Sequence, residues 1–552
     1  MIQQNLIKFY EKSFVENWDL PALSDYNGIS YTYGEMARHI ARLHLLFEGV
    51  GIKKGDKIAV FGKNSANWCI CSMSVITYGA VAVPILADFR PADAHTIINH
   101  SDSVMLLVDS QIMETLSETE LKSIRAILSV DTFGILSAKP SAAFKKRFEQ
   151  LDELLREKCK GDFTRDHIQY AEVDNSEVVQ INYTSGTTGF SKGVVLTANS
   201  LAGNVEFAIR SMELNPGEKM LSIIPLAHCY GFAFDFLFPL AVGVHVTILG
   251  KIPATPVILK AFSEIQPHLI LFVPIFFEKL YKKKVLPTLQ KGSMKILTKI
   301  PGINGLIYGA IRKKLIASFG GRFREAVLGG AALGAEVEAF MTKIKFPFTI
   351  GYGMTECGPL ISYEGHATTR RGSSGKILDI MELKIDSPRP FDEPGEILVK
   401  GENLMAGYYK NEQATKDAID ENGWLHTGDL GVTDKDGFIY IKGRSKSMLL
   451  GPSGQNIYPE EIESKLINLP YISEAVVLMN KDHRLEALVF PDMEQAKSDG
   501  VDDLAAKMEE NRKAINQQLA SFETLLKIRL HDKEFEKTPK RSIKRFLYKL
   551  EE

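Results

Sequence analysis

At 552 residues, with 45% hydrophobic and 24% charged side chains, the chain has the composition of a soluble globular enzyme and is too long for one compact core. A net charge of −2 and a pI near 6.7 exclude a global attraction to nucleic acid, so any polyanion site must be local. Five cysteines (Cys69, Cys71, Cys159, Cys229 and Cys357), an odd number without zinc-like pairing, fit a reducing cytoplasm. Met1 to Lys8 lack the charged flank, apolar centre and cleavage site of a signal peptide. No run reaches the roughly eighteen uninterrupted apolar residues of a membrane span. A soluble or at most peripheral protein is expected.

In chain order, Ser30–Tyr33 lead into a helical pattern through Met36, Ile40, Leu43 and Leu46 that ends at Gly49-Val50-Gly51. Lys57–Phe61 then reads as a buried strand. The alternation repeats: a helix near Trp68 to Tyr78, a strand at Ala80–Pro84, a helix near Ala92 to Asn99, a strand at Val104–Val108. Such β/α alternation predicts a mainly parallel sheet covered on both faces. Residues 135–170, rich in Lys, Glu and Ala, predict a surface helix and a connection.

Next comes Tyr183-Thr184-Ser185-Gly186-Thr187-Thr188-Gly189-Phe190-Ser191-Lys192-Gly193, between the strand-like Val178–Tyr183 and Val194–Leu196. Hydroxyls at Thr184, Ser185, Thr187 and Thr188, glycines that free the backbone amides, and one lysine make an anion-binding concavity. It is not a Walker A loop, because the sixth position from Gly186 is Ser191. The run resembles the signature loop of the adenylate-forming superfamily, which holds acyl-CoA synthetases, amino-acid adenylation domains and firefly luciferase.

That resemblance continues in motif order through the chain. Pro225, His228 and Gly231 fit the family's P-x-x-H-x-x-G run beside the acyl carboxylate; read alone, His228 is more often a satisfied core histidine. Phe232 and Phe234, in an aromatic tract up to Phe238, are candidates for the acyl pocket or for ordinary core. Asp235 in that tract would suit an amino-acid ammonium, or be simply paired or exposed. Val273-Pro274-Ile275-Phe276-Phe277-Glu278-Lys279-Leu280-Tyr281 is similar to a V-P-x-x-F-E-K-x-Y run of long-chain acyl-CoA synthetases. From Lys279 to Lys314 there are ten basic residues and no acidic one, interleaved with apolar positions. The stretch reads either as a surface for anionic lipid or as a solvated helical face.

Gly330 and Ala331 end one strand-like run, and Tyr352-Gly353-Met354-Thr355-Glu356 ends another. Small residues there let a flat base approach, and Tyr352 offers a face for adenine. The second run resembles the family's Y-G-x-T-E motif, which implies Thr355 on the α-phosphate and Glu356, with Thr184, on magnesium. Trp424–Asp429 resembles W-x-x-T-G-D, implying Asp429 on the ribose. Ile441–Ser447 is polar and basic. The resemblance puts a nucleotide contact at Arg444 and the hinge at Lys446, giving a large domain over residues 1–443, a hinge at 444–447 and a small lid over 448–552. Ser453 and Gly454 fall in the loop that helps form the thioester-step site with CoA.

The family's adenylation lysine departs from pattern: within Thr538–Arg545, Ser542 occupies its place, flanked by Lys540 and Lys544, of which Lys544 is favoured. Six basic residues between Lys537 and Lys549 suit CoA phosphates or a solvated tail.

The resemblance implies an α/β enzyme. Its large N-terminal domain has αβ-layered sheets and a β-barrel-like part, followed by a small mobile α+β C-terminal domain. The expected activity is ATP- and Mg²⁺-dependent ligation of a long-chain fatty acid to coenzyme A through an acyl adenylate. No partner nucleic acid is expected; peripheral contact with the inner face of a membrane and a homodimer are both compatible. A fatty-acyl-AMP or acyl-carrier-protein ligase, an amino-acid-adenylating enzyme and a non-catalytic sensor are the rival readings.

Overall fold

The computed structural model describes residues 2, 4–137, 140–184, 192–250, 255–290, 292–298, 300–450, 456–520, 523–538 and 543–550. Two seven-stranded sheets form the body of the molecule. One runs in the order Phe348–Ile350, Glu325–Leu328, Leu269–Phe272, Lys219–Ser222, His245–Ile248, Pro21–Asp25, Ser30–Thr32, parallel except for its last pair. The other runs Gly407–Tyr408, Lys192–Thr197, Val178–Thr184, Val81–Leu86, Lys57–Gly62, Ser103–Val108, Ala126–Ser129. Its first three strands are antiparallel to one another and the rest are parallel.

The local sequence explains these elements. Five consecutive residues of Lys57–Gly62 are buried, as a strand with helices on both faces requires. The helix Tyr33–Val50 starts with a capping box of Thr32 and Glu35 and stops at the left-handed Gly51. The helix Ala66–Thr77 is buried along its whole length, so it lies inside the body. The surface helix expected within 135–170 is instead two short helices, Ala142–Glu149 and Leu151–Cys159. Gln150 closes the first and opens the second, with a backbone conformation outside the helical region.

The barrel-like part is a three-stranded and a four-stranded antiparallel sheet joined by a bridge between Lys376 and Phe438. Beyond Ser447 lies a smaller unit with its own hydrophobic cluster. In it Ile472–Met479, Leu485–Pro491 and Leu525–Leu530 pair beside the helices Pro459–Leu466 and Leu504–Asn516.

Candidate active site

The hairpin of Val178–Thr184 and Lys192–Thr197 sets Thr184 directly opposite Lys192, so the hydroxyl-rich loop is closed at its base by a threonine and a lysine. Ser185, Gly186, Thr187, Thr188 and Gly189 lie outside the described residues. The hairpin is tied to the histidine segment, because Asn182 Nδ2 donates to the Ala227 carbonyl at 3.1 Å. His228 caps the turn Cys229–Gly231 and accepts from the Tyr230 amide. Tyr230 in turn donates to the Val327 carbonyl at 3.2 Å, at the strand that runs into Gly329-Gly330.

Gly330 has φ +84°, a left-handed conformation that glycine adopts without strain. At Gly353 a Cβ would stand 2.2 Å from the Pro359 carbonyl oxygen, so only glycine fits. The chain therefore passes flat into the turn Thr355–Cys357, which carries Thr355 and Glu356.

Two charged groups face this turn. In the first, Asp429 pairs in register with Arg444: one carboxylate oxygen accepts the Tyr352 hydroxyl at 2.6 Å, and the other lies 2.8 Å from Arg444 Nε. Burial raises the Asp429 pKa, while the Arg444 guanidinium and the Tyr352 hydroxyl pull it down. Burial also pushes the Tyr352 phenol well up, with the Asp429 charge adding to the effect, so Tyr352 stays a donor. This brings together Tyr352, Asp429 and Arg444 from a stretch of more than ninety residues. A buried carboxylate with a fixed orientation is the acceptor that ribose hydroxyls need.

In the second group, Lys192 Nζ sits 4.6 Å from the centre of the Tyr408 ring, and the Tyr408 hydroxyl donates to Glu356 Oε1 at 2.9 Å. Glu356 Oε2 makes no hydrogen bond among the described residues. A single hard oxygen ligand of this kind fits a magnesium ion that is otherwise held by nucleotide phosphates and water. Among the described residues no three His, Cys, Asp or Glu side chains form a preformed metal cluster. Tyr408 was not singled out from sequence; its signal, the aromatic pair in Ala406-Gly407-Tyr408-Tyr409, is too short to be read alone.

The aromatic tract is a π-helix, Phe232–Leu237, a form that recurs at functional sites. Phe232 is 0% exposed and packs edge-on against Trp68 and Phe236, so it faces the core. Phe234, 1% exposed, belongs to the same core and packs against Tyr230. Asp235 is neither exposed nor ion-paired: its Oδ2 accepts from Ser222 Oγ at 3.0 Å, and burial pushes its pKa up to about 7. A carboxyl so enclosed is a poor receptor for a substrate ammonium.

Several expected residues are not gathered here. Lys544 Nζ lies 3.3 Å from Glu536 in the small unit and makes no hydrogen bond or ion pair with Lys192 or Glu356 among the described residues, while Lys540 and Ser542 lie outside the described residues. Ser453 and Gly454 also lie outside them. Lys446 occupies the turn Ser445–Ser447, directly after the strand that presents Arg444.

Residues 10–409 match the AMP-binding enzyme family, and residues 447–549 match the C-terminal domain of AMP-binding enzymes. The chain belongs to the AMP-binding enzyme family. Among curated relatives of this AMP-binding enzyme is the long-chain-fatty-acid–CoA ligase FadD15 of Mycobacterium bovis, 28% identical over 93% of this chain and 89% of its own. In fold it is similar to the anthranilate CoA ligase AuaEII in complex with anthranoyl-AMP. The TM-score is 0.79 at 19% identity, covering 99% of this chain and 96% of that one. It is also similar to the o-succinylbenzoate CoA synthetase MenE of Bacillus subtilis in complex with ATP and magnesium. There the TM-score is 0.74 at 22% identity, covering 98% of both chains. The α/β architecture with a smaller C-terminal unit is therefore that of adenylate-forming enzymes.

Proposed function

We propose that this adenylate-forming enzyme, an acyl-CoA ligase by class, takes a long-chain fatty acid as its substrate, with ATP and magnesium in the first step and coenzyme A in the second. The observation that carries the nucleotide half is the pair of polar groups around the Thr355–Cys357 turn: Tyr352–Asp429–Arg444 for the ribose, Lys192–Tyr408–Glu356 for the phosphates. The long-chain part is supported by the likeness to FadD15 and by the Val273–Tyr281 run.

A carboxylate is a poor electrophile because its leaving group would be oxide. Its oxygen attacks the α-phosphorus of ATP instead, giving an acyl adenylate and pyrophosphate. Lys192 and the loop amides neutralise the developing charge, and Thr355 holds the α-phosphate. Glu356 and Thr184 would hold a magnesium ion, which would neutralise charge on the phosphates. His228 lines the carboxylate end of the acyl site, and Gly330, Ala331 and Gly353 leave room for adenine. The CoA thiol then attacks the acyl carbonyl and AMP leaves; no covalent enzyme nucleophile is needed. Residues 1–443 act as the body, 444–447 as the hinge and 448–552 as the lid, which carries Lys544 or Lys540 to the phosphates and Ser453 and Gly454 to CoA.

The exposed apolar residues Ile296 (65%) and Leu306 (77%) beside the basic stretch support a peripheral contact with anionic membrane, where free fatty acid collects. No helix of the described residues is long and apolar enough to cross one.

The test is pyrophosphate release from Mg-ATP across acids from acetate to oleate and a set of amino acids, with and without CoA. Acyl-CoA formed best from long chains supports the proposal. Acyl-AMP that CoA does not discharge points to a carrier-protein ligase, and turnover of amino acids alone points to an amino-acid-adenylating enzyme.

A further inference from the structure

Lys192 and Glu356 carry opposite charges and both contact Tyr408, yet among the described residues they form no ion pair with each other. Tyr408 stands between them: its ring face meets the ammonium, and its hydroxyl meets the carboxylate. From this geometry, and resting on the nucleotide reading above, we infer that Tyr408 is a positioning residue that keeps Lys192 and Glu356 from neutralising each other before ATP arrives.

The physical case has three parts. A flexible lysine and a glutamate that meet the same tyrosine gain by closing on each other, and each would then be lost to its ligand: the lysine to phosphate, the carboxylate to the metal. An aromatic face satisfies the lysine through its quadrupole alone, an attraction that a phosphate outcompetes. The phenol satisfies one carboxylate oxygen as a neutral donor and leaves the other open.

Tyr408 is itself fixed against drift. Gly407–Tyr408 pairs with Val195 and Val194 along the edge of the strand that begins at Lys192. The Tyr409 amide donates to the Gly193 carbonyl at 2.7 Å, and the Tyr408 amide donates to Thr415 Oγ1 at 2.9 Å. The Met405 amide donates to the Glu356 carbonyl at 2.8 Å, which ties the glutamate's backbone to the same segment. The spacer and both groups it separates thus hang on one short piece of chain.

The test is a substitution cycle read by ATP binding in EDTA, so that metal and turnover do not enter, together with the Mg²⁺ dependence of pyrophosphate release. Y408F keeps the ring and loses the hydroxyl. Metal-free ATP affinity should stay within about twofold, while the half-saturating Mg²⁺ concentration rises about threefold or more. Y408L removes both contacts and lets Lys192 close on Glu356, so metal-free ATP affinity should fall about tenfold. In an E356Q background no carboxylate remains to capture the lysine, and Y408L should then cost less than about twofold.

An equal loss from Y408L in both backgrounds would reduce Tyr408 to packing and overturn the inference. So would an unchanged Mg²⁺ dependence in Y408F, which decides the matter even if Y408L does not fold. Failure of the parent protein to bind ATP at all would instead overturn the nucleotide reading, which separates the two.

Discussion

At the scale of single residues, charge placement decides the expected effects. Asp429 is held by Tyr352 and Arg444, and a hydrogen bond to a charged acceptor is worth about 1.5–3 kcal/mol. Asp429→Asn should therefore raise the KM for ATP by about tenfold or more, measured as initial rates against ATP at saturating acid. Asp235 gives a pH dependence. Its folded pKa of about 7 lies above the ordinary 3.8, so its contribution to stability is full below 3.8 and is lost as pH rises through 7. The loss is on the order of 4 kcal/mol at alkaline pH. Asp235→Asn should accordingly melt higher than the parent at pH 8, by about 2 °C or more, and show no such gain at pH 4. Tyr352, Asp429 and Arg444 were legible because each stands in a motif of its own. Tyr408 was not, because its meaning depends on a strand pairing between positions more than two hundred residues apart. The burial of Asp235 was equally illegible: an aspartate among phenylalanines reads the same whether it faces a pocket or a serine.

At the scale of elements, the alternating strands and helices of the first hundred residues were readable because buried parallel strands are short, apolar and punctuated. The π-helix was not, since its extra residue per turn leaves no mark on a run of alternating aromatic and small or polar residues. Phe232→Ala should cost about 3–5 kcal/mol of stability, read by thermal melting, and leave acyl-chain preference unchanged. Phe234→Ala, on the Tyr230 side, should shift that preference in the acid panel. On the outer surface, Leu306→Asp should reduce co-sedimentation with vesicles of phosphatidylglycerol and phosphatidylcholine, while leaving turnover of dissolved short acids intact.

At the scale of the whole molecule, the proposed two-step reaction requires the smaller unit to take up two positions. The structure pairs Arg444 with Asp429 and Lys544 with Glu536. Lys446→Pro, which restricts φ at the turn, should leave acid-dependent pyrophosphate exchange within about threefold of the parent and slow acyl-CoA formation far more. Rapid-quench measurement of the two half-reactions would check it.

The strand Gly407–Tyr408 also bears on how the protein is made. It closes the outer edge of the sheet at Lys192–Thr197, and it is synthesised more than two hundred residues later. Until position 408 leaves the ribosome, a finished hairpin presents an open row of amides and carbonyls, which is a template for pairing with another chain. A chain stopped near residue 400 would carry that hazard permanently, and the natural remedy is speed: the ribosome needs only tens of seconds to deliver the missing strand.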